Sequence, residues 1–193
     1  MIFEKTSLAD AYLVKPNIFN DERGSFARTM CRSEFEQHGL NADFVQQNTA
    51  VSTKVGAVRG MHFQLGPHTE AKFVRCIRGA VLDVIVDLRR GSPSFMRHAG
   101  FELSAENHHM LYVPEGFAHS YQTLTDDCEM TYLVTAPYTP SAEGGVRFND
   151  PRLGIDWPLP VSSISAKDAA WPLLDTDEPN FFEYKPSQLQ TAN

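Results

Sequence analysis

The sequence predicts a mainly β chain, a sandwich or barrel with a few short helices, and three observations carry that expectation. From Phe44 onward the chain breaks into short apolar or alternating runs: FVQQNTAVS, FVRCIRG, AVLDVIVDL, GFELS, MLYVP, SYQTL and MTYLVT. They are rich in Val, Ile, Phe and Tyr, residues that suit a pleated, half-buried surface. Gly, Pro, Asn and Asp separate them at roughly regular spacing, with almost no helical periodicity between them. The 193 residues are 42% hydrophobic, which suits one buried core. A single domain over residues 1–175 is therefore expected, followed by a loose polar tail over 176–193.

Residues 1–19 are mixed, and Pro16 breaks any long element there. NDERG, residues 20–24, reads as a turn, because Asn, Asp and Gly tolerate unusual backbone angles. Ser33 and Glu36 form an S-x-x-E capping box, and Gly39 stands where a short helix would stop. VRGMHFQ, residues 58–64, reads as a strand, which would send Arg59 and Met61 to one face and His62 and Gln64 to the other. Arg78-Gly79, between two apolar runs, reads as a hairpin tip. Prolines at 137, 140, 151, 158 and 160 predict irregular chain over 137–163, and SAKD, from Ser165 to Asp168, predicts one more short helix before Pro172. There is no internal repeat and no low-complexity tract.

The net charge of -7 and pI of about 5.4 argue against general binding to nucleic acid or anionic membrane, both of which favour a basic face. A local basic pocket for a phosphorylated ligand stays compatible with that balance. Cys31, Cys76 and Cys128 are odd in number and form no C-x-x-C pair, as expected of free thiols in a reducing compartment. MIFEKTSLAD has no apolar stretch of signal length, and no run approaches the ~18 apolar residues of a membrane helix. The expectation is a soluble, cytoplasmic protein.

The chemically suggestive residues are dispersed. His62 is suited to proton abstraction near neutral pH, or to a satisfied place in the core. Arg59 beside it favours a site, since strands seldom bury an arginine without an anionic partner. Lys72 reads as a strand-edge cation or as a charge held against a developing oxyanion. Tyr132 reads as a packed strand ring or as an acid with its hydroxyl in a cavity. Asp168 reads as a helix-first-turn carboxylate or as the partner that orients a catalytic imidazole. His119 lies in PEGFAH, and its P-x-G-x-x-H spacing resembles the second motif of the cupin superfamily. The first cupin motif is broken here: it reads His62, Phe63, Gln64, with Glu70 six residues on, and a carboxamide is a poor substitute for imidazole as a metal ligand.

FNDERGSF, FVQQN, VRGMHFQ, KFVRCIRG, LDVIVDLRRGSPSF, LSAEN, VPEGFAH, GIDWP and SAKDAAWPLLD, from about residue 17 to 175, together resemble the dTDP-4-dehydrorhamnose 3,5-epimerase family. The resemblance implies a cupin-like jelly-roll β-sandwich that works without a metal or redox cofactor. It implies a nucleotide-diphosphate keto-sugar substrate whose C3 and C5 protons flank a C4 ketone. It casts His62 as base, Asp168 as its partner, Lys72 as the cation at O4 and Tyr132 as the acid on the opposite face. Arg23, Arg28, Gln46, Asn48, Arg59, His119, Tyr138 and Lys167 fall on substrate-binding positions. A homodimer that exchanges strands and shares site residues is also implied.

The sequence departs from the family pattern in places. Arg28 stands where a glutamate would accept from thymine N3–H; a guanidinium only donates, which makes a base offering acceptors, such as cytosine, a candidate. GFAHGF is GFAHSY here, with Ser120 and Tyr121, SPTFG is SPSFM, with Met96, and Leu133 replaces a common lysine. The alternatives are a CDP- or GDP-linked keto sugar, a metal-dependent cupin using His62, Glu70 and His119, and a non-catalytic nucleotide-sugar binder.

Overall fold

The computed structural model describes residues 1–174 and 182–185, and the chain is mainly β. Strands β1 (Ile2–Lys5), β2 (Tyr12–Lys15), β3 (Ile18–Asp21) and β4 (Gly24–Ala27) precede helix α1 (Arg32–Glu36). Then come β5 (Gln46–Ser52), β6 (Val58–Gln64), β7 (Lys72–Arg78), β8 (Ala80–Asp87), β9 (Arg89–Arg90) and β10 (His98–Ser104). They are followed by β11 (Met110–Val113), β12 (Phe117–Thr123), β13 (Cys128–Val134), β14 (Glu143–Gly145), α2 (Ala166–Ala169) and β15 (Phe182–Glu183).

A six-stranded antiparallel sheet, in the order β1-β2-β11-β7-β13-β5, faces a five-stranded one, β10-β8-β12-β6-β14. This is the jelly-roll sandwich the sequence implies. Alternate residues from both sheets meet in the lumen: Val74, Cys76 and Met130 from one, Val81, Ile85 and Tyr121 from the other. A second apolar cluster, with Phe35, Leu40, Phe73 and Met110, seats α1 on the outside of the six-stranded sheet. A third, with Met61, Val84, Val86 and Leu174, covers the outside of the five-stranded sheet with the C-terminal segment. Among the described residues no helix is long and apolar enough to cross a membrane.

Several local expectations change. The capping box does not form: Cys31 is the extended residue before α1 and Ser33 is already inside the helix, its hydroxyl 3.2 Å from the Cys31 sulfur. The stop at Gly39 does form, with Leu40 N–H donating to Phe35 O and Gly39 N–H to Glu36 O, and Gly39 at φ +68. Arg78-Gly79 is not a hairpin tip. Strand β7 pairs with β11 and β13, while β8 pairs with β10 and β12, so the chain crosses between sheets at Gly79. A Cβ there would lie 2.6 Å from Thr125 Oγ1 and 2.8 Å from Cys128 Sγ. NDERG does turn, joining β3 to β4 in a separate hairpin whose Phe19 and Phe26 are 65% and 71% exposed. Within the proline-rich stretch, β14 adds an edge strand beside β6. Of the segment read as a tail, Phe182–Glu183 pairs in parallel with β9, and residues 176–181 and 186–193 lie outside the described residues.

Candidate active site

The site is built on an irregularity in β6. Strand β12 pairs His119 with His62 and Ser120 with Gly60, so Met61 is an extra residue in β6, a bulge. The simple alternation of VRGMHFQ is therefore wrong: Met61 is buried in the outer cluster, while Arg59 and His62 line the same cavity. Gly60 makes this possible. It sits at φ +117, and a Cβ on it would fall 2.5 Å from His119 O.

Helix α2 delivers the carboxylate. Ser165 caps it by accepting from Asp168 N–H at 3.0 Å, as SAKD predicts. The preceding residues are tied to β6 through Val58 N–H to Ser163 O, 2.9 Å. Asp168, 4% exposed, places Oδ1 2.6 Å from His62 Nε2, and its Oδ2 accepts from Gly60 N–H at 3.2 Å. Burial pushes the Asp168 carboxyl up, but the His62 hydrogen bond and charge, the Gly60 N–H and Ser165 outweigh it and hold the group below the usual carboxylate range. With Nε2 turned to Asp168, Nδ1 of His62 is the nitrogen left for substrate. The Trp171 ring stands edge-on to His62, with centroids 6.3 Å apart.

A cavity of about 330 Å³ brings together His62, Lys72 and Tyr132 with Gln46, Asn48, Tyr138 and Glu143. Lys72, 8% exposed at the start of β7, is ion-paired with Glu70. Burial, then the neighbouring Tyr121 and Glu70, raise the Tyr132 phenol above its ordinary range, opposed by Arg59. Gln46 donates to Asn48 Oδ1 at 2.9 Å and accepts from Tyr138 N–H at 3.2 Å. An adjoining cavity of about 720 Å³, which also opens on His62, is lined by Arg59, Lys167 and Asp168.

Other expected residues are placed differently. His119 stands opposite His62 and turns its Nε2 onto the fully buried Asp83, at 2.8 and 3.0 Å. Arg23 and Arg28 do not line these cavities. Arg23 pairs with Asp21 on the exposed hairpin at 2.6 Å, and Arg28 pairs with Glu34 at 3.1 Å. Sequence reasoning missed Glu143, which holds Lys167 at 2.5 Å and accepts from the Tyr138 hydroxyl at 3.1 Å. Nothing in PSAEGG signals that this short stretch pairs with β6. The metal triad of the cupin alternative is not assembled: His62 faces Asp168, His119 faces Asp83 and Glu70 faces Lys72. Gln64 clamps a loop instead, accepting from Thr139 N–H at 2.6 Å and donating to His68 O at 3.1 Å. Among the described residues no group of three His, Cys, Asp or Glu could hold a metal ion.

With this geometry in view, similarity to known proteins is informative. The family described as dTDP-4-dehydrorhamnose 3,5-epimerase matches residues 5–176. The dTDP-4-dehydrorhamnose 3,5-epimerase of Salmonella typhimurium is 45% identical over 177 residues, 91% of this chain and 96% of that one. A crystal structure of dTDP-6-deoxy-D-glucose-3,5-epimerase from Legionella pneumophila, in complex with dTDP-4-keto-L-rhamnose, superposes with a TM-score of 0.89 at 36% identity, covering 95% of this chain and 98% of the other. A 3'-monoepimerase from Streptomyces bikiniensis, in complex with dTDP-quinovose, superposes at 0.80 with 37% identity, covering 87% and 85% of the two chains.

Proposed function

The chain belongs to the dTDP-4-dehydrorhamnose 3,5-epimerase family, and on that premise we propose that His62, held by Asp168, is the base that takes protons from the carbons flanking the sugar ketone. The protein is an isomerase of deoxysugar biosynthesis that acts on a nucleotide-linked 4-keto-6-deoxy sugar. A ketone at C4 acidifies the protons on C3 and C5, and removal of either leaves an enolate. Asp168 keeps the His62 imidazole in the tautomer that leaves Nδ1 free, and it stabilises the imidazolium once the proton arrives. Lys72 compensates the charge that develops on O4, in a pocket where little water competes. Tyr132 then supplies a proton from the other side, and the centre is inverted. Each inversion leaves His62 with one proton more and Tyr132 with one fewer, so proton exchange with solvent resets the pair, and turnover consumes no redox equivalent.

One observation carries the assignment: a hydrogen-bonded His62–Asp168 pair, a buried cation and a phenol border two cavities that share one imidazole. Arg59 and Lys167, in the adjoining cavity, are placed for the diphosphate, which guanidinium and ammonium groups hold through charge-assisted hydrogen bonds. Gln46, Asn48 and Tyr138 complete the wall toward sugar and base. The β3–β4 hairpin supports a homodimer. It carries Arg23 and two exposed phenylalanines and forms a sheet by itself, the form of an arm that reaches a second copy and lends it Arg23 and Arg28. A cytoplasmic location fits free thiols and a nucleotide-activated substrate.

Proton NMR in heavy water with dTDP-4-keto-6-deoxyglucose tests the reading. Loss of both the C3 and C5 proton signals on a catalytic timescale is expected of a 3,5-epimerase. Loss of one alone would make this chain a monoepimerase, and loss of neither would overturn the assignment for this substrate. Arg28 favours a second nucleotide preference, because a guanidinium cannot accept from thymine N3–H. Tighter binding of CDP than of dTDP would establish that preference, and the reverse order would remove it.

A further inference from the structure

Beside the His62 rung, the five-stranded sheet carries another polar row, of which the proposed function uses only Arg59. Tyr121 on β12 pairs with Arg59 on one side and with Asp83 on the other, so the three residues stand abreast on neighbouring strands. Tyr121 is 5% exposed and its ring belongs to the central lumen cluster. Its hydroxyl crosses the lumen to lie 3.4 Å from Ser52 Oγ on the opposite sheet. Asp83 is fully buried and gives both carboxylate oxygens to His119. Arg59, by contrast, reaches the larger cavity. Burial raises the Tyr121 phenol, and Ser52, then Arg59, offset part of that rise, while Asp83 adds to it.

An arginine side chain has many rotamers to lose, and a guanidinium that is already fixed loses less freedom when it grips a diphosphate. A buried phenol also needs a hydrogen-bond partner, and a packed ring alone would be served by phenylalanine. We propose that Tyr121 is a positioning residue, pinned by Ser52, whose phenol oxygen accepts from Arg59 and presents that guanidinium to the diphosphate of the nucleotide sugar. The inference rests on the function proposed above and adds to it the residue that orients its anion-binding arginine.

Tyr121→Phe removes the oxygen and keeps the ring. Calorimetric titration with dTDP is expected to show Kd raised about 2- to 10-fold, the worth of one hydrogen bond. KM for the nucleotide sugar should rise by the same factor, with kcat held within about two-fold and the melting temperature nearly unchanged. Ser52→Ala is expected to act in the same direction with a smaller rise. Unchanged Kd and KM would overturn the positioning role, and so would a fall in kcat with KM intact, which would move Tyr121 into proton transfer. If Tyr121→Phe does not fold, Ser52→Ala decides: a Kd equal to wild type overturns the proposal. A wild-type protein that binds no dTDP and exchanges no sugar protons would overturn the proposed function and this role with it. Wild-type binding that both variants share would overturn this role alone.

Discussion

Two buried ionic assemblies sit in the same sandwich, and one is closed where the other is open. In the first, Asp87 is fully buried and accepts from Arg89 Nε at 2.9 Å, Arg89 Nη2 at 2.9 Å, Ser92 Oγ at 2.5 Å and Ser94 Oγ at 2.7 Å. Arg89 also donates to Asp10 Oδ2 and Ala9 O and lies against the rings of Phe117 and Tyr184 at 4.6 and 4.8 Å. Burial pushes the Asp87 carboxyl up, but Arg89, Ser92 and Ser94 outweigh it and hold the group below its usual range. In the second assembly Asp168 is nearly as buried, yet its partner His62 is 35% exposed at the side chain and shares its cavity with Arg59 and Lys167. Saturation is the difference. A guanidinium whose fork is filled by its own chain ties elements together, whereas an imidazole with one nitrogen anchored and one facing space can exchange a proton.

Substitutions separate the two assemblies in opposite directions. The largest effect is expected from His62→Ala: steady-state kcat per folded molecule falls by about 10²- to 10⁴-fold, the range of a general base, while the melting temperature drops less than for Asp87→Ala, because Asp168 keeps the Gly60 N–H when it loses His62. Activity within a few-fold of wild type would reassign the base. Next comes Asp87→Ala, which takes from the buried Arg89 the carboxylate that binds it twice, leaves it Asp10, and is expected to cost about 3–5 kcal/mol in urea unfolding, with turnover per folded molecule unchanged. A stability loss under about 1 kcal/mol would mean that the closed assembly is worth no more than a surface pair. The smallest effect is shared. Both carboxyls are held below the ordinary range in the folded state, so their stabilisation is complete above an unfolded value of about 3.9 and is lost as pH falls through the depressed folded values. Thermal melts across acid pH are expected to fall less steeply for Asp168→Asn than for wild type. Equal slopes would show that Asp168 gains nothing from His62 in the folded state.

Much of the scaffold is legible in the sequence, because each lumen-facing strand needs its own run of β-branched and aromatic residues, and AVLDVIVDL or MTYLVT reads as strand wherever it docks. Turn chemistry marks where the chain bends but not what it pairs with afterwards, which is why Arg78-Gly79 reads as a hairpin and is a crossing between sheets. SAKD reads correctly because a cap is local, while Ser33 and Glu36 fail because Cys31 already supplies the extended residue before α1. On β6 the bulge at Met61 turns Arg59 toward His62, and only the register with β12 reveals it. Tyr121, Asp83 and Glu143 escaped for the same reason, since cross-strand neighbours follow from pairing rather than spacing. Arg23 and Arg28 pair with Asp21 and Glu34 away from both cavities, a placement that no local motif signals.

The strand order of the six-stranded sheet has a temporal consequence. Strand β7 lies between β11 and β13, so it waits for partners made well after it. Such remote pairings make folding slow, and they leave strand edges unpaired while a chain is still growing on the ribosome. His62 waits for a carboxylate 106 residues downstream. A truncated product that stops short of Asp168 contains every strand of both sheets and still lacks the proposed catalytic pair, so on that proposal turnover reports finished synthesis as much as folding.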